Sequence, residues 1–211
     1  VDVAGLEPLS PVTTPCRLVA QMVNYRSHAR ESGFDPDAVP PTFFRKASGS
    51  VSGPTSPVVR PAHVRLLDYE VELGLVLGAP LPAGAVVTAD DLPDLVAGLV
   101  LANDVSARDV QLTKGQFYES KSYPTFTPLG PRLTLVTAAE LARLAELRLR
   151  LEVNGRVRQD SSVADMICRP AQALTTLARF QALDPGDVVL TGTPGGTALQ
   201  APPKVVEKVA A

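Results

Sequence analysis

Residues 66–78 read LLDYEVELGLVLG, and this stretch decides how the chain is understood. Its apolar run suits a buried strand, yet Asp68, Glu70 and Glu72 occupy every second position. Side chains on a strand alternate faces with period two. Leu67, Tyr69, Val71, Leu73, Leu75 and Leu77 would therefore share one face, and three carboxylates the other. Like charges side by side on a strand are destabilising, the more so when buried. A solvated acidic face is the plain explanation, but residues 73–78 are apolar on both faces, which points to burial. A hard cation such as Mg²⁺, Mn²⁺ or Ca²⁺ would cancel the repulsion, because these ions prefer carboxylate oxygens.

A second stretch, GLVLANDVSARDVQ (98–111), runs an apolar strand into Asn103, Asp104, Arg108, Asp109 and Gln111. A carboxylate where a buried strand ends is placed to complete an oxygen cage. Arg108 could grip an anionic substrate with two prongs. The simpler alternative is a capped turn with Arg108 paired to Asp109 at the surface. In MVNYRSHARESG (22–33), His28 and Glu31 stand three apart, neighbours on one helical face. A His held by a Glu makes a general base, although a short surface helix could carry the same pair. His63, the other of two histidines, sits in a Pro-rich turn and reads as structural. Lys121 lies in YESKSYPTFTPLGP, a loop too apolar for an ordinary solvated lysine, where it could hold a carboxylate or steady developing negative charge. PGDVVLTGTPGGT (185–197) ends a strand in small residues whose backbone N–H groups can approach an anion, without the Gly-Lys-Ser/Thr of a P-loop.

Around these motifs the chain has the composition of an ordinary globular protein: 211 residues, 45% hydrophobic, 20% charged, net charge −2. The near-neutral balance gives no electrostatic case for nucleic acid or an anionic membrane as partner. No apolar run reaches the length of a transmembrane helix, and VDVAGLEPLS shows no signal peptide, so the cytoplasm is the expected compartment. Cys16 and Cys168, far apart, are expected free and buried. Twenty prolines and fifteen glycines punctuate short β-type runs, so the expected class is β-rich with few helices. Strands are predicted in 16–23, 64–78, 95–106, 132–137, 147–159 and 186–192, with a hairpin at Asn154-Gly155. Helices are predicted in 26–32, 137–144 and 169–183.

The order NYxxHxxE, DYExEL, NDVSARDxQ, KSxxxFxPLGP, PGDVxLTGTPGG resembles the fumarylacetoacetate hydrolase family, with a motif-bearing core over 21–197, a lead-in over 1–20 and one catalytic domain. The resemblance implies a β-roll of mixed sheets, usually dimeric. It implies Glu70, Glu72 and Asp104 as ligands of one Mg²⁺ or Mn²⁺, with Asp68 outside the ligand set. It also implies His28 and Glu31 as a dyad on a short lid helix, Lys121 as the active-site lysine, and Arg108, Gln111 and Thr193 as substrate contacts. The implied chemistry passes through an enolate of a small keto acid. Hydrolysis of a C–C bond in an acylpyruvate-like β-diketo acid is the leading expectation. Oxaloacetate-type decarboxylation and 2-hydroxy-dienoate keto–enol isomerisation stand behind it, and a non-catalytic dicarboxylate-binding module is the rival of another class. The chain departs from the family pattern at Ala47, where proline is common, and in lacking tryptophan between Gln111 and Lys121. The ending APPKVVEKVAA falls where further family strands are expected, so the native protein is expected to be longer.

Overall fold

The computed structural model describes residues 7–200. The first six residues of the lead-in and the APPKVVEKVAA ending lie outside the described residues. Strand β1 (Leu18–Gln21), helix α1 (Arg26–Glu31), and strands β2 (Phe43–Lys46) and β3 (Val51–Ser52) come first. Then follow β4 (Leu67–Asp68), β5 (Val71–Leu77), α2 (Leu92–Leu95), β6 (Val96–Asn103), β7 (Ser106–Ala107) and α3 (Arg108–Lys114). The order closes with β8 (Thr127–Leu135), α4 (Ala138–Ala142), β9 (Arg148–Val153), β10 (Arg156–Ser162), α5 (Pro170–Ala178) and β11 (Val188–Leu190). The β-rich class with few helices is what the sequence predicts.

Seven strands form one mixed sheet in the order β2-β1-β11-β5-β6-β8-β3. β11 runs parallel to β1 and antiparallel to β5, and β6 runs antiparallel to both β5 and β8. All seven residues of β5 are buried, as befits a central strand covered on both faces. One face carries Val71, Leu73, Leu75 and Leu77, which pack with Leu174 and Leu177 of α5. The other packs Val76 with Leu18, Val100, Leu129 and Leu190. β9 and β10 form the expected hairpin, and Asn154 (φ 52°) and Gly155 (φ 71°) supply the positive φ angles of its tight turn.

The opening stretch is not one continuous strand. It breaks at Tyr69-Glu70, where the Glu70 N–H bonds to Asn103 Oδ1 (3.0 Å) and the Glu70 carbonyl accepts from Asp104 N–H (2.8 Å). β4 leaves the large sheet and pairs with β7. Leu67 is consequently half-exposed instead of joining the Val71–Leu77 face. α5 also ends earlier than its pattern suggests, and Phe180 is exposed.

Asn24 locks the site's surroundings. Its side chain donates to Thr191 O (2.7 Å) and Cys168 O (3.1 Å) and accepts from Cys168 N–H (2.7 Å), all buried. Asn24→Leu would strand these groups, and a loss of at least about 3 kcal/mol in denaturant unfolding is expected. Both cysteines are free as expected, but Cys16 is only half-buried, because β1 begins two residues later.

Candidate active site

Antiparallel pairing of β5 with β6 aligns Val71 with Asn103 and Glu72 with Ala102, bringing the start of one strand to the end of the other. Glu70, Glu72 and Asp104 therefore converge, each offering an oxygen within 4.8 Å of the others, and all three are buried. Asp68 stands outside this cluster. It accepts from Arg108 Nε (2.7 Å), Ala198 N–H (2.7 Å) and Leu199 N–H (3.0 Å), so it fixes Arg108 and the chain beyond the glycine-rich loop.

Two buried lysines meet the carboxylates. Lys121 Nζ bridges Glu70 Oε2 and Asp104 Oδ2, both at 2.6 Å, and lies 5.2 Å from the centre of the Phe44 ring. Lys46 Nζ reaches Asp104 Oδ1 and the Phe126 carbonyl (3.0 Å). Sequence reasoning missed Lys46 as a site residue. The available signal was FFRK itself, since Phe44 and Lys46 share a strand face and would bury that face together.

Arg108 does not pair with Asp109. Its Nη1 donates to Gln111 Oε1 (2.8 Å) and its Nη2 to Glu70, so both prongs of the guanidinium are held by protein. Asp109 instead accepts from Arg65 N–H (2.7 Å). The Gln111 NH₂ makes no hydrogen bond among the described residues and borders the cavity. α3, which carries Arg108 and Gln111, was not foreseen, because its N-cap is Ala107 and no capping side chain announces it.

His28 is buried on α1 with Nδ1 unpaired. It is not hydrogen-bonded to Glu31 among the described residues. Glu31 accepts from Gly196 N–H (2.9 Å) instead. Ser27 Oγ donates to Asp165 (2.7 Å) and accepts from Gly195 N–H (3.2 Å). α1 is thus fastened to the glycine-rich loop, and Glu31 serves that attachment here. The loop's N–H groups do approach acidic groups, as its composition suggests, but the carboxyls are the protein's own: Gly192 N–H bonds Glu72 at 2.8 Å and Gly196 N–H bonds Glu31. Gly192 has φ +85°, and a Cβ there would stand 2.8 Å from Asn24 Cβ, so only glycine suits the position. The Thr193 hydroxyl donates to Val71 O (3.0 Å) and accepts from Gln159 Nε2 (2.8 Å), which leaves it no proton for a substrate. His63 bonds Tyr123 Oη (2.8 Å) away from these groups, as a structural residue.

His28, Glu70, Arg108, Gln111, Lys121 and Thr193 all line one cavity of about 60 Å³, with Phe44 and Phe117 as apolar walls. Its electrostatics are uneven. Burial pushes Glu70 up, but Lys121 and Arg108 outweigh it and hold the carboxyl down to about 2. Glu72 is driven well above the carboxylate range by burial, then by Asp104 and Glu70. Among the described residues its hydrogen-bond donor is a lone backbone N–H, with no cation in contact. Burial lowers His28, keeping the imidazole neutral and able to accept a proton. Burial works against the charge on Lys121, yet Asp104 and Glu70 raise it overall. Lys46, with one carboxylate, is lowered by its burial. The donor set fits a hard divalent ion: three converging carboxyls, one of them held against ionisation by burial and by neighbouring negative charge that a dication would neutralise.

Residues 17–209 match the model of the fumarylacetoacetate (FAA) hydrolase C-terminal family, and the chain belongs to that family. It is 37% identical over 202 residues to the bovine mitochondrial oxaloacetate tautomerase FAHD2A, an alignment covering 95% of this chain and 62% of the bovine protein. It is 39% identical over 187 residues to the 2,4-didehydro-3-deoxy-L-rhamnonate hydrolase of Sphingomonas sp. strain SKA58, covering 88% of this chain and 64% of that one. Among solved structures, 5-carboxymethyl-2-hydroxymuconate delta-isomerase from Mycobacterium smegmatis superposes with a TM-score of 0.77 at 33% identity, covering 93% of this chain and 74% of that chain. The chain thus spans less than two thirds of the length of these two sequence relatives. The three names describe a tautomerase, a hydrolase and an isomerase. No helix among the described residues is long and apolar enough to cross a membrane.

Proposed function

We propose that the protein is a divalent-metal-dependent enzyme acting on a small 2-oxo acid through an enolate, with C–C hydrolysis of an acylpyruvate-like β-diketo acid as its reaction. The convergence of Glu70, Glu72 and Asp104 beside Lys121 and a neutral His28 carries this reading. The three carboxylates would hold Mg²⁺ or Mn²⁺, and the bound ion would supply Lewis acidity toward adjacent keto and carboxylate oxygens. Gln111 offers its free amide N–H groups to the substrate carboxylate. Arg108 keeps Glu70 ionised and aimed, a positioning part rather than the two-pronged grip expected of it. His28 takes a proton from water as the water oxygen bonds to the acyl carbon. The C–C bond then breaks, its electron pair leaving as pyruvate enolate beside the Lys121 ammonium. The proton held by His28 goes to the enolate carbon, giving a carboxylic acid and pyruvate.

A second reading, keto–enol chemistry on an oxaloacetate-like acid, is favoured by one observation. Glu31 is bound to Gly196 and does not orient His28, so water activation lacks its expected support. Proton transfer between carbon and oxygen needs only one free basic nitrogen, and decarboxylation needs none. A binding module without catalysis would have no use for a neutral His28 imidazole lining the same cavity. Incubation with Mg²⁺ or Mn²⁺ and either acetylpyruvate or oxaloacetate, followed by NMR, separates these outcomes. Acetate and pyruvate from acetylpyruvate, reduced by at least about 100-fold in His28→Ala, are expected. Pyruvate and CO₂ from oxaloacetate alone would identify a decarboxylase, and enol–keto exchange alone a tautomerase. Unchanged hydrolysis in His28→Ala would remove that residue from the mechanism. A homodimer is further proposed, to be checked by sedimentation.

A further inference from the structure

Beside the candidate active site lies a second cavity, of about 200 Å³, lined by Met22, Val23, Phe34, Ala38, Val39 and Pro40, with Asp35 and Thr42 completing it. Met22 and Val23 also line the catalytic cavity, so the two share a wall. Phe34 is more than half exposed, an apolar ring left facing this space. Resting on the proposed 2-oxo acid chemistry, we infer that this cavity receives the substrate's distal substituent, and that the substituent is an uncharged aliphatic chain.

Three observations carry the assignment. The catalytic cavity, about 60 Å³, has room for the reacting keto acid and little more, so a longer substrate must continue elsewhere. The neighbouring cavity lies directly across Met22 and Val23, the two residues that line both, and is mainly apolar. Finally, its lining contains no Lys, Arg or His, while Asp35 stands in it with Oδ1 already accepting from Asp37 N–H (3.0 Å). A second carboxylate on the substrate would find repulsion there and no partner. Among the described residues the buried Lys and Arg side chains, Arg108, Lys121 and Lys46, sit on the side of the reacting end.

Titration calorimetry with Mg²⁺ and a series from pyruvate through 2-oxobutanoate and 2-oxopentanoate to 2-oxohexanoate tests this. Affinity is expected to rise about fourfold per methylene, the transfer gain of a buried CH₂. Ala38→Phe, at an exposed loop position, fills the cavity and should flatten that slope. Asp35→Lys should shift preference toward 2-oxoadipate over 2-oxohexanoate by up to about fivefold, the scale of a rim ion pair. A flat series in the unaltered protein, with pyruvate bound, overturns the subsite alone. An equal loss at every chain length in Ala38→Phe also overturns it, since the residue would then be merely structural. If pyruvate itself does not bind, the 2-oxo acid reading fails and the subsite falls with it.

Discussion

Asp104→Asn is expected to lower stability by about 3–5 kcal/mol and to remove divalent-ion binding together. The first effect follows from Lys46. Its ammonium is fully enclosed, and Asp104 is its one ion-pair partner among the described residues. Its other hydrogen bond goes to the neutral Phe126 carbonyl. An amide at position 104 leaves that charge in a low-dielectric interior without a counter-charge. Lys121 suffers less, because Glu70 still holds it at 2.6 Å. For a chain of this size the loss corresponds to a fall of roughly 6–20 °C in Tm. Adding Lys46→Met should return much of it, since the stranded ammonium is then gone. Calorimetric scans of the single and double variants decide the matter. A loss under about 1 kcal/mol would mean the pair contributes no more than a surface ion pair does.

The residues that announced the site did so because the chemistry required several polar groups in an apolar run. Glu70 and Glu72 could be read at strand spacing, and Asp104 at the end of the next apolar run. The break after Asp68 could not be read, because alternation continues through it. Only the partner, Asn103 Oδ1 taking the Glu70 N–H, shows why the ladder stops. Gln159 was equally silent. It is a buried amide that joins Val71 N–H to Thr193 and Pro194, across 88 and then 34 and 35 positions of sequence. Long-range side-chain bonds of this kind leave no local pattern. The same reason explains Glu31, whose spacing from His28 is that of neighbours on a helix, while a loop 165 positions away takes its carboxylate. Helical adjacency permits a pair without enforcing one, and a backbone N–H with no other partner can win the competition.

Glu72→Gln should have the opposite effect on stability while equally destroying the site. Glu72 is buried beside Asp104 and Glu70, and among the described residues it accepts one backbone hydrogen bond and touches no cation, so its carboxyl remains protonated well above its ordinary value of 4.5. The folded protein therefore holds a proton that the unfolded chain has released over that interval. The contribution of Glu72 to the stability of the metal-free protein falls as pH rises above about 4.5, continuing until the folded group ionises. The lowered His28 works in the opposite sense below about 6.5. A divalent ion binds the ionised cage, so its affinity rises with pH through the same window and binding expels a proton. Glutamine cannot ionise, so the Tm of the variant should climb relative to that of the unaltered protein from about pH 5 to about pH 8 and exceed it at the upper end. It should also bind Mg²⁺ or Mn²⁺ more than about 100-fold more weakly, because a ligand matters at least as much as the groups that orient one. Calorimetric titration in two buffers of different ionisation enthalpy measures affinity and proton release at once. Unchanged affinity in the variant would remove Glu72 from the cage. An unchanged dependence of Tm on pH would instead show that another group carries the proton, and would leave the cage itself in place.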